Sequence, residues 1–85
     1  MSESYQSDIL RFHRELDICY TLAKTNKARL KEHPLVEKQI TFWIEGTRFL
    51  ISELEIWERM GNLSKCDETV YKVQQALDHL HELLE

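Results

Sequence analysis

Residues 34–61 read PLVEKQITFWIEGTRFLISELEIWERMG, and this stretch decides the fold. A proline opens it and a glycine closes it. Proline lacks the N–H that a first helical position leaves unpaired, while glycine takes the left-handed conformation that ends a helix. Between them Val36, Ile40, Trp43, Thr47, Leu50, Leu54 and Trp57 step by four and three. That alternation keeps one line of side chains facing a partner helix. A single helix ending at Met60 is the expectation.

Working outward, the same rhythm fills both flanks. Tyr5, Ile9, Phe12, Leu16, Cys19, Ala23, Asn26 and Leu30 precede it, and Leu63, Cys66, Val70, Val73, Leu77, Leu80 and Leu84 follow. The expected fold class is therefore all-α: an antiparallel up-down-up three-helix bundle with coiled-coil-like heptad seams. Its helices are expected at about 4–32, 34–60 and 64–85, in a single domain spanning 1–85. Ser7 with Asp8, or Ser4 in a longer version, would cap the first helix, and Ser64 with Asp67 the third. Short connections make sequence neighbours antiparallel.

With 85 residues, 15 acidic and 11 basic side chains give a formal charge of −4. An acidic balance speaks against gripping phosphate backbones, and a recognition helix for DNA should be basic, so no nucleic acid is expected and a small DNA-binding regulator is the unlikely alternative. Basic Lys24, Lys27, Arg29 and Lys31 instead suit the negative end of the first helix, beside acidic Asp78, Glu82 and Glu85 of the third. Neither a secretory leader nor an apolar run long enough for a bilayer is read, and acidic flanks disfavour attachment to a membrane. A reducing, cytoplasmic setting follows. A chain this short buries only about 60–65% of its unfolded surface, which makes a partner or an oligomer expected.

Candidate chemistry is thin. His79 and His81 stand beside Asp78 and Glu82, but residues two apart on a helix point in different directions, and His79 with Glu82 supplies two ligands where a site needs more. Solvent-facing histidines and no metal are expected. Cys19 and Cys66 would lie roughly 15 Å apart along the rods, too far for a disulfide. No phosphate loop or triad is read, so the chain is expected to be no enzyme, with no catalytic residue, cofactor or small-molecule substrate. Asn26 and Thr47 are polar intruders on the seams, read as register-setting, with a bend near Thr25–Asn26 as the alternative.

The second helix carries a further stripe, Leu35, Phe42, Phe49, Ile56 and Met60, with Ile44 and Ile51 on another flank. So wide an apolar arc is covered from two directions, by the other helices or by a second chain. Large aromatics dominate interfaces when exposed, and Gly46 would admit a neighbouring backbone or ring. Phe42, Trp43, Glu45, Gly46 and Phe49 are thus the candidate partner-binding residues. The partner is another protein or a second copy of the chain as a dimer; adaptor, chaperone and inhibitor roles all fit.

The run Val70-Tyr71-Lys72-Val73-Gln74-Gln75-Ala76-Leu77-Asp78-His79-Leu80 resembles the last helix of the BAG domain, a three-helix bundle. The likeness is confined to the third helix and part of the second. It implies a cochaperone that binds the ATPase domain of a heat-shock chaperone, with contacts from Glu45, Glu55 and Gln74 on one exposed face. The family's basic contact falls at Cys66, with only Lys65 adjacent.

Overall fold

A computed structural model describes residues 5–85. The chain is all-helical, with no strand among the described residues: α1 (Gln6–Thr25), α2 (Lys27–Lys31), α3 (Pro34–Arg59) and α4 (Leu63–Leu84). The expected first helix is thus broken in two. Thr25 donates its hydroxyl to the Thr21 carbonyl (2.9 Å), and Asn26 donates both its side-chain amide (2.9 Å) and its backbone N–H (3.0 Å) to the carbonyl of Leu22. The backbone bond continues the helical ladder, whereas the two side-chain bonds crowd the same carbonyls, and low helix propensity at Thr25 and Asn26 places the turn here. Asn26 is therefore a local interruption and sets no register with another helix.

Helix ends follow the expected punctuation only in part. Pro34 starts α3 after an extended His33, and Gly61 follows its end with φ at 72°. The start of α4 differs, because Asn62 rather than Ser64 is its cap: the Asn62 side-chain oxygen accepts from the Lys65 N–H at 3.1 Å. Ser64 already lies inside the helix. Ser7 likewise lies inside α1, and Ser4 is outside the described residues. The Tyr5 N–H ahead of α1 is taken up by Glu58 of α3 (2.8 Å), so a tertiary contact replaces a local cap.

Each long helix packs against the other two, giving a rod of 50 × 18 × 16 Å. Ile9, Phe12, Leu16 and Cys19 of α1, with Leu30 of α2, meet Ile40, Ile44, Ile51 and Leu54 of α3 and Cys66, Val73, Leu77, Leu80 and Leu84 of α4. The α1 and α4 seams are the expected ones, apart from Leu63, which is exposed. On α3 the buried line runs Ile40, Ile44, Thr47, Ile51 and Leu54, while Trp43, Leu50 and Trp57 are half-buried beside it. The reason is geometric: a helix wedged between two neighbours buries the residues between its two contact lines and leaves the far side of each at the rim. Thr47 and Thr69 are buried yet satisfied locally, donating to the carbonyls of Trp43 (2.6 Å) and Lys65 (2.7 Å) one turn back. Thr47 is thus no register device either.

Both ends of the rod are tied. Arg29 donates to the carbonyl of Leu84 at 3.5 Å, so the basic α2 meets the terminal carbonyls of α4. At the other end the Tyr5 hydroxyl donates to the Asp67 carboxylate. That bond, with desolvation and the carboxylate's charge, pushes the Tyr5 phenol up from 10.0 to about 12. Ionising the phenol would lose the bond and set two anions together. An acid whose folded pKa is raised stabilises the fold fully below its unfolded value, and that contribution fades between pH 10 and pH 12. Ultraviolet titration of the 3 tyrosines should show one phenol ionising near 12, returning towards 10 in Asp67→Asn. Titration unaltered by that substitution would exclude the bond.

Candidate interaction surface

Residues seven apart on a helix fall about 20° short of two full turns, so a period-seven series drifts slowly around the rod. Leu35, Phe42, Phe49 and Ile56 are such a series on α3, and Met60, four beyond Ile56, returns to the meridian of Phe42. The core line lies on the opposite side of the helix, so all five point outward. Their exposures are 75% for Leu35, 70% for Phe42, 67% for Phe49, 48% for Ile56 and 67% for Met60. Five large apolar side chains in one file along the whole length of α3 and its cap exceed the scattered singles that a monomer's surface ordinarily shows.

Of the sequence candidates, Phe42 and Phe49 lie at the centre of this file. Trp43 lies at its edge: its ring meets that of Phe42 edge-on at 5.9 Å and that of His79 on α4, tilted by 59°, at 4.7 Å. Trp43 thereby props Phe42 from the α4 side. Gly46 sits between the two phenylalanines, and a Cβ placed there would meet nothing within 4 Å. The expectation that Gly46 admits a neighbouring backbone or ring is not met within the chain. It leaves a notch in the exposed file instead. Leu35, Ile56 and Met60 complete the surface; a period of seven groups Leu35 and Ile56 with the phenylalanines, and Met60 joins them 18 residues, or five turns, beyond Phe42.

Glu45, Glu55 and Gln74 do not join it. Glu45 is exposed on the α1 side of α3, where it lines an open groove of about 330 Å³ with Tyr20, Lys24, Lys27, Glu37 and Arg48. The Glu55 carboxylate is 3.8 Å from His13 Nε2. Gln74 accepts from Arg11 at 3.1 Å and donates to Asp78 at 3.1 Å. Arg11 and His13 are two residues apart and so lie on opposite flanks of α1, which separates Glu55 from Gln74. Arg11 is held further by Glu15 at 2.9 Å and Asp8 at 3.7 Å, a charged brace across α1 and α4.

The His79 side chain is part exposed, with its ring against Trp43 and its Nδ1 3.8 Å from Glu82. Among the described residues no three His, Cys, Asp or Glu side chains are placed to hold a metal ion. Cys19 and Cys66 are free thiols inside the core. Burial pushes both thiols up, with Glu15 adding to it at Cys19 and Glu58 and Asp67 at Cys66. Raised thiols of this kind are poor nucleophiles. Among the described residues no helix is long and apolar enough to cross a membrane. Compared with protein-family models, curated proteins and solved structures, the chain matches none.

Proposed function

We propose that this chain is a non-enzymatic helical interaction module that docks another polypeptide on the outer face of α3. Its framework in this reading is an up-down-up antiparallel three-helix bundle with coiled-coil-like seams. Tyr5 meeting Glu58 and Asp67 at one end, and Arg29 meeting Leu84 at the other, supports that arrangement. The observation that carries the docking reading is the exposed file Leu35, Phe42, Phe49, Ile56 and Met60. Phenylalanine and methionine are among the residue types enriched at protein interfaces, where aromatic rings bury large areas. Buried, unpaired Cys19 and Cys66 accord with a reducing, cytoplasmic setting.

A BAG-like cochaperone is the narrower alternative. It needs Glu45, Glu55 and Gln74 on one face, and the flanking of α1 by Glu55 and Gln74 favours the broader reading.

Tagged chain expressed in its native cell should retain a second polypeptide, whether an untagged copy or a different protein. Phe42→Glu/Phe49→Glu should lose at least nine-tenths of it, while Tyr71→Ser, altering an exposed ring on α4, should keep it. Equal retention by the double variant would move the site off α3. Retention of nothing by the unaltered chain would overturn the docking reading.

A further inference from the structure

We infer that the occupant of the α3 face is the α3 face of a second copy, packed antiparallel about a two-fold axis between Glu45 and Gly46. This rests on the docking reading above and names its partner. A helix face can pair with itself in two directions, and its charges choose between them. Paired parallel, every residue faces its own copy, so Lys38 meets Lys38 and Glu53 meets Glu53. Paired antiparallel about that axis, Lys38 of each copy comes level with Glu53 of the other, twice over.

The apolar file obeys the same symmetry. Phe42 comes level with Phe49 of the other copy, and Leu35 with Ile56, so these four pair apolar with apolar, while Met60 lies beyond the paired stretch. At the axis lies Gly46, whose open Cβ position allows the two helices to approach closely. The two Glu45 carboxylates come near each other beside the axis, where each copy's Arg48, lining the same groove as Glu45, offsets them. No unpaired block of charge is brought into the centre.

The area is adequate for a modest complex. Exposed side chains of these sizes would remove on the order of 1,000 Å² from water across the two copies, at the lower limit for a specific interface. Association in the micromolar range is the corresponding expectation.

Sedimentation equilibrium of the full chain, from about 1 µM to 1 mM, tests this. The expected result is a mass rising from 10.2 kDa towards twice that value. Phe42→Glu/Phe49→Glu should remain monomeric, and its circular-dichroism melt, taken at a concentration where the unaltered chain is also monomeric, should be little changed and show that it folds. Lys38→Glu and Glu53→Lys should each weaken self-association by about tenfold. Mixed together, these two single variants should recover it as a heterodimer, because each supplies the charge that the other lacks. A chain that stays monomeric throughout overturns the second-copy inference. If such a monomer still retains a different protein through Phe42 and Phe49, the docking reading survives alone. A dimer indifferent to the phenylalanine substitutions overturns the use of this face. A dimer lost with them, but without recovery on mixing, overturns the antiparallel alignment.

Discussion

Phe12→Ala is expected to lower the free energy of unfolding by about 3–5 kcal/mol. Phe12 is fully buried among the side chains that join α1 to α3 and α4. Removing its ring forfeits the transfer of that area from water and leaves a cavity that close-packed neighbours fill only in part. The loss is large because a small domain holds a total stability of only about 5–15 kcal/mol, and a chain of this size sits towards the low end. Urea denaturation followed by helical circular dichroism would measure it. Phe42→Ala in the same assay, at protein concentrations too low for association, should change stability by no more than about 0.5 kcal/mol, because that ring is already in water. Similar costs at the two positions would mean that the inner and outer faces of the rod have been exchanged.

Native Cys19 and Cys66 are expected to react with an aromatic disulfide reagent at pH 8 at least about a thousandfold more slowly than in the unfolded chain. Both sulfurs have no exposed surface, and burial holds both thiols above their ordinary range, so the reactive thiolate is scarce as well as hidden. Reaction must then wait for opening of the structure. Cys66 lies in the first turns of α4 and Cys19 near the end of α1, on separate helices of one core. Equal labelling rates would show that the helices open as one cooperative unit. Rapid labelling of one thiol would show that its helix opens alone, and a burst at both would contradict their burial.

These two expectations draw on features of different legibility. The burial of Phe12, Leu16, Cys19, Leu77 and Leu80 was readable from the four–three rhythm, because one helix meeting a partner buries one line of side chains. Pro34 and Gly61 marked the limits of α3 for reasons of backbone covalent geometry alone. Other ends were misread. Asn62 caps α4 although Ser64 offered an apparently better pattern, since the Gly61 turn places the Asn62 side chain first. Asp67, read as the other half of that cap, accepts the Tyr5 hydroxyl from a residue far away in the chain. His79 keeps the part-exposed side chain that was expected, but its ring contact with Trp43 of α3 could not be read from α4 alone.

The helical character of the chain, the boundaries of α3 and most of its core were thus determined by the sequence by itself, because periodicity and local backbone chemistry act within a few residues. Which of α3's apolar stripes stays in water was not. Ile44, Ile51 and Phe49 are all large and apolar at helical spacing, and no property of one helix ranks them. Only the placement of α1 and α4 does so, by covering Ile44 and Ile51 and leaving the line of Phe42 and Phe49 outside. A helix offers its whole circumference to the solvent. Its neighbours decide how much of it is taken away.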